Sequence, residues 1–127
     1  MVIRNDVYSI TRHALRVTRH YDKVGIFMAE YNTEKVIIKP EKDITEKTVN
    51  ELRDNILFQL GNNNVNITLD LSAVNMIDSI GLGVIISCYK ALQEFNGTLN
   101  IVYANDDIMQ LFTLLKLDKH INISSGA

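Results

Sequence analysis

One cysteine, one proline and no tryptophan occur among 127 residues, and no apolar run approaches the ~20 residues needed to cross a bilayer. A single Cys88 has no partner for an internal disulfide, which suits a reducing cytoplasm. Arginine and histidine interrupt the first 23 residues throughout, so no continuous apolar core of a signal peptide is present there. Histidines are also few. His13, His20 and His120 have no glutamate or cysteine beside them at metal-ligand spacing, which argues against a metal centre. A Gly-x-Ser-x-Gly nucleophile elbow and a Gly-x-x-x-x-Gly-Lys phosphate loop are both missing. With neither a nucleophile, a metal set nor a cofactor motif, the chain reads as a protein that is not an enzyme and carries no cofactor.

What is present describes a globular domain. Hydrophobic residues make up 46% and charged residues 22%, and this length buries a core without disulfide or metal staples. The net charge of −2 is unevenly spread. Residues 1 to 23 hold Arg4, Arg12, Arg16, Arg19 and Lys23 against Asp6 and Asp22, a net of +3 that leaves −5 on the remainder. An acidic body, without aromatic residues interleaved among basic ones, gives no support for nucleic-acid binding.

Strand and helix periods alternate along the chain. Val24–Tyr31 and Lys35–Lys39 are rich in β-branched and aromatic residues and predict a hairpin turned by Asn32, Thr33 and Glu34. A helix follows from about Glu46 to Leu60, with Thr45 as N-cap, Ile44 and Val49 as a hydrophobic staple, Val49, Leu52, Ile56 and Leu60 as its buried face, and Gly61 as the C′ residue. Val65, Ile67, Leu69 and Leu71 alternate with polar residues and predict a strand. From Leu82 the spacing becomes helical through Ile85, Ile86, Tyr89, Leu92 and Phe95, with Gly97 as the stop. Leu99, Ile101 and Tyr103 predict the next strand. A last helix over about 106–116 is expected to pack through Ile108, Leu111, Phe112 and Leu115, before a short strand at Ile121 and Ile123. Such alternation predicts an α/β fold with parallel pairing and helical crossovers.

Between the strand at 65–71 and the following helix lies Asp78-Ser79-Ile80-Gly81-Leu82-Gly83, which puts a serine hydroxyl at the opening of a helix. This passage resembles the STAS family of bacterial anti-sigma factor antagonists, whose motif reads Asp-Ser-(Ser/Thr/Ala)-Gly-Leu-Gly after a buried strand. The resemblance continues through residues 92 to 121 and covers roughly residues 24 to 123. It implies the STAS fold, a mixed β-sheet of four to five strands covered by three to four helices. Residues 24–127 would form that domain, and residues 1–23 an N-terminal extension. In that extension Val7, Ile10, Ala14, Val17 and Tyr21 form a heptad-like stripe, while Leu15, Val17, Arg19 and Tyr21 equally fit a strand.

By the same resemblance Ser79 would be phosphorylated by a partner that is both an anti-sigma factor and a serine kinase of GHKL type, and a serine phosphatase would reverse it. The partner-binding surface would comprise Asp43, Asp78, Ser79, Ile80, Gly81, Leu82 and Gly83. Each also has a plainer reading. Ser79 suits an N-cap, and Asp78 suits either an Asx turn or the positioning of the hydroxyl. Two glycines in a first helical turn cost up to ~1 kcal/mol each relative to alanine, which suggests a bare surface of use to a partner. Leu82 is either core or contact, and Asp43 is either partner-facing or a solvated loop carboxylate. The family has glycine and an apolar residue where Pro40 and Lys42 stand, serine, threonine or alanine where Ile80 stands, and often glycine where Lys116 stands. Ile80 would narrow the choice of kinase or fill an interface pocket, and Lys116 would take a left-handed conformation or end the helix differently. Unmodified, the chain would sequester its anti-sigma factor and release a sigma factor. The alternative is a constitutive STAS scaffold in a signalling or lipid-transport assembly, with no phosphate on Ser79. The sequence leaves a homodimer open.

Overall fold

The computed structural model describes residues 31–126. The chain runs β1 (Val36–Ile38), α1 (Val49–Gly61), β2 (Asn66–Asp70), α2 (Ser79–Gln93), β3 (Thr98–Val102), α3 (Asp106–Leu114), a 3-10 turn (Leu117–Lys119) and β4 (Asn122–Ile123). The expected α/β alternation is therefore present. The strands lie in the order β1-β2-β3-β4 and every pairing among them is parallel, with Ile38 opposite Leu69 and Leu69 opposite Ile101. The sequence predicts the antiparallel partner that a mixed sheet requires at Val24–Tyr31; Tyr31 lies outside any strand, and residues 24–30, the extension at 1–23 and the boundary between them lie outside the described residues.

Because sheet order follows chain order, each right-handed crossover steps in the same direction and lays its helix on the same face. Period-2 alternation then selects the core: Ile67, Leu69, Leu99 and Ile101 are all buried and join one cluster with Ile56, Leu60, Ile85, Leu92 and Phe112 from the helices. Full burial of each such side chain contributes about 2 kcal/mol from the hydrophobic effect. The opposite face is polar. There the Asn66 side-chain oxygen Oδ1 accepts from the Thr98 hydroxyl at 2.9 Å, and the Asn122 side-chain Nδ2 donates to Asn100 Oδ1 at 3.3 Å.

Several element ends differ from the expected ones. α1 begins at Val49 with Thr48 in the cap position, because residues 45–48 close a separate turn in which the Thr45 carbonyl accepts from the amides of Thr48 and Val49. Gly61 is the last helical residue, and the left-handed position falls on Asn63 at φ 64°. Asn96, at φ 57°, likewise replaces Gly97 after α2. Gly97 serves close packing instead, since a Cβ there would lie 2.4 Å from the Val65 carbonyl oxygen. Tyr103 stands beyond β3 at φ 59° and is exposed. α3 ends at Leu114 and buries Ile108 and Phe112, but Leu111 is half-buried and Leu115 exposed. Lys116 takes the left-handed conformation at φ 60°, one of the two outcomes expected of a non-glycine residue there.

Cys88 faces inward from α2 and is fully buried, and desolvation pushes its thiol from the ordinary 9.0 up to about 12. The unfolded chain loses this proton first as pH rises, so the group's contribution is intact below about pH 9 and is lost progressively towards pH 12. At neutral pH, labelling by a thiol reagent is expected to proceed only as fast as the chain opens. The labelling rate should therefore rise with urea in step with unfolding, and rapid labelling in native buffer would contradict the burial.

Candidate partner-binding site

A parallel sheet gathers the carboxyl ends of its strands, and the loops that leave them, along one edge. Here the segments after β1 (39–48), β2 (71–78) and β3 (103–105) meet there, and hydrogen bonds lock them together. Asp70, the last residue of β2, accepts from the Ser72 amide through its carboxylate at 2.9 Å. That bond, with the Ser72 side chain, holds the Asp70 carboxyl below the usual carboxylate range. Further on, Ile77 pairs with Ile44 as an isolated parallel bridge. The Ile44 amide donates to the Met76 carbonyl and the Asp78 amide to the Ile44 carbonyl, each at 3.1 Å.

Two carboxylates complete this joint. Asp43 accepts from the amides of Asn75 at 2.8 Å and Met76 at 3.3 Å through a single oxygen. Asp78 uses both: Oδ1 accepts from the Gly81 amide at 2.8 Å and so caps α2, while Oδ2 accepts from the Glu46 amide at 3.0 Å. A third tie comes from Asn105, which caps α3 by accepting from the Ile108 amide and donates its own side-chain amide to the Asn75 carbonyl at 3.1 Å.

The cap therefore belongs to Asp78, and Ser79 is the first helical residue, exposed and with no hydrogen bond to its hydroxyl among the described residues. Ile80 beside it is 51% exposed. The two glycines separate in role. Gly81 is buried, and a Cβ on it would sit 2.3 Å from the Ile44 carbonyl oxygen, so it permits close contact between α2 and the 39–48 segment. Gly83 is exposed, with nothing within 4 Å of the place its Cβ would take, and leaves α2 bare. Leu82 is half-buried against the core.

All seven residues singled out from the sequence thus lie in these loops or in the first five residues of α2. Ser79, Ile80 and Gly83 are exposed, whereas Asp43, Asp78 and Gly81 hold the joint. Sequence reasoning passed over Met76, which is 50% exposed in the same loop. The signal for it is the pair Met76-Ile77: in an extended segment adjacent side chains point opposite ways, so only one can be buried. Among the described residues no group of three histidine, cysteine or acidic side chains could hold a metal ion, and no helix is long and apolar enough to cross a membrane.

This arrangement leaves an exposed serine hydroxyl at a helix N-terminus whose flanking loops are tied to one another by hydrogen bonds. The STAS domain family model matches residues 16–126, and the chain belongs to that family. A Thermotoga maritima protein provisionally named an anti-sigma factor antagonist is 29% identical over 89 residues, spanning 69% of this chain and 79% of that one. The crystal structure of a Thermotoga maritima protein with the same provisional description is 27% identical, with a TM-score of 0.64 over 74% of this chain and 83% of that one. The Bacillus cell-fate determinant SpoIIAA in its phosphorylated form shares the fold, with a TM-score of 0.59 over 72% of this chain and 84% of that one, at 16% identity.

Proposed function

We propose that this chain is an anti-sigma factor antagonist controlled by phosphorylation of Ser79. Unmodified, it binds an anti-sigma factor that is also a serine kinase of GHKL type, in the cytoplasm, and so frees a sigma factor. Phosphate transfer to Ser79 releases the partner, and a serine phosphatase restores the binding form. The observation that carries this reading is the exposed Ser79 hydroxyl at the first position of α2, unbonded among the described residues, with Asp78 already supplying the cap. A serine needed as a cap would be occupied; this one is left for other chemistry. The relatives' names and the phosphorylated SpoIIAA structure support the same assignment.

The test is a pull-down from the native cell with wild-type, Ser79→Ala and Ser79→Asp baits, with mass spectrometry of the captured proteins and of the Ser79 peptide. Capture of a serine kinase by the first two baits but not the third, with phosphate on Ser79, is expected. Identical partners for all three baits and an unmodified Ser79 would instead favour a constitutive scaffold. The exposed bulk of Ile80 beside the hydroxyl gives that second reading its support.

A further inference from the structure

We infer that Met76, with Ile80, is the apolar anchor by which the cognate kinase recognises this chain, and that the partner offers an apolar pocket beside its phosphate-transfer site. The inference rests on the Ser79 reading above and names the recognition chemistry of the same surface. A single exposed apolar residue needs no explanation. Met76 differs because of how it is held. The Met76 amide donates to Asp43 and its carbonyl accepts from Ile44, while the neighbouring Asn75 amide and carbonyl are taken by Asp43 and Asn105. Every backbone polar group of these two residues is thus engaged by a segment remote in sequence, which fixes the backbone.

Alternation along this stretch sends Ile77 into the core and leaves Met76 exposed, three residues ahead of Ser79 in the chain. Met76 at 50% and Ile80 at 51% exposure therefore stand before and after the phosphoacceptor, with bare Gly83 one turn on. A backbone already held in place has no ordering cost of its own on binding, so only the side-chain rotamers remain to be fixed in the complex. Methionine adds an adaptable, polarisable shape suited to an apolar pocket.

The experiment is steady-state phosphorylation of the full chain by the purified kinase that modifies Ser79 of the wild type. Met76→Ser and Ile80→Ser are each expected to raise KM about tenfold, with kcat within about twofold of wild type. Met76→Leu, which preserves volume and apolarity, should restore KM. Phe58→Ser, which removes an exposed apolar side chain on α1, should leave KM unchanged. Thermal melts of all four variants establish that each is folded. A KM for Met76→Ser within about twofold of wild type, or an equal rise for Phe58→Ser, overturns the inference. If no such kinase modifies wild-type Ser79, the proposed function fails first and takes this inference with it.

Discussion

Gly81→Ala is expected to destabilise the fold by about 3 kcal/mol, at the upper end of the range for overpacking a closed contact. The new Cβ would lie 2.3 Å from the Ile44 carbonyl oxygen, 2.7 Å from Ile44 Cγ2 and 2.9 Å from the Ile44 carbonyl carbon. Two of these three atoms are backbone, so no change of rotamer relieves the clash. Nor can the backbone retreat freely, because the Ile44 carbonyl accepts from the Asp78 amide and the Ile44 amide donates to Met76. Gly83→Ala provides the contrast. With nothing within 4 Å, it is expected to leave stability unchanged or raise it by up to ~1 kcal/mol through helix propensity. Urea midpoints at constant m-value measure both: the Gly81→Ala midpoint should fall while that of Gly83→Ala stays level or rises. A fold that tolerates Gly81→Ala as well as Gly83→Ala would show that the 39–48 segment is not packed against α2 as described.

Asp78→Ala should lower stability by about 3 kcal/mol, because it removes a helix cap and a charge-assisted hydrogen bond across two loops at once. Loss of the Oδ1 contact exposes the Gly81 amide at the start of α2, and loss of the Oδ2 contact frees the Glu46 amide in the turn before α1. Asp78→Asn keeps one oxygen acceptor and should therefore fall between wild type and alanine. This grading separates a positioning residue from a group that takes part in phosphate transfer. If Asp78 only presents Ser79, then Asp78→Asn should be phosphorylated at nearly the wild-type kcat once folded. Should Asp78→Asn lose phosphorylation while keeping its stability, the carboxylate would have a direct part in the transfer.

Much of the core was legible because apolar alternation and helical spacing report directly on which side chains are inside. Val65, Ile67, Leu69 and Leu71 are all buried, as are Val49, Leu52, Ile56 and Leu60. Turns and caps were less legible, because one residue type can serve two needs. Gly61 and Gly97 mark chain reversals, yet asparagines at 63 and 96 take the left-handed conformations, since asparagine tolerates that region through its short polar side chain. At the site, the Asp-Ser-x-Gly-Leu-Gly pattern marked the opening of a helix but not the division of structural labour within it. That division depends on bonds between residues 32 or 33 positions apart, Asp43 to Asn75 and Met76, and Glu46 to Asp78, which no local pattern encodes. For Met76, local alternation with Ile77 marks an exposed side chain, but the contacts of its backbone with Asp43 and Ile44 are not encoded locally.

Phosphate at position 79 is expected to break the complex without disturbing the fold. A phosphate adds about −1.5 to −2 charge, which a helix N-terminus tolerates, so the melting temperature should barely change. The same charge brought into a closely packed interface beside Asp78 is expected to cost several kcal/mol of binding. The direct measurement is calorimetric titration of the purified kinase with the unphosphorylated chain and with the chain stoichiometrically phosphorylated on Ser79. A loss of affinity of about 100-fold or more, with unchanged thermal stability of the free chain, is the predicted result. Equal affinity of the two forms for the kinase would contradict the account.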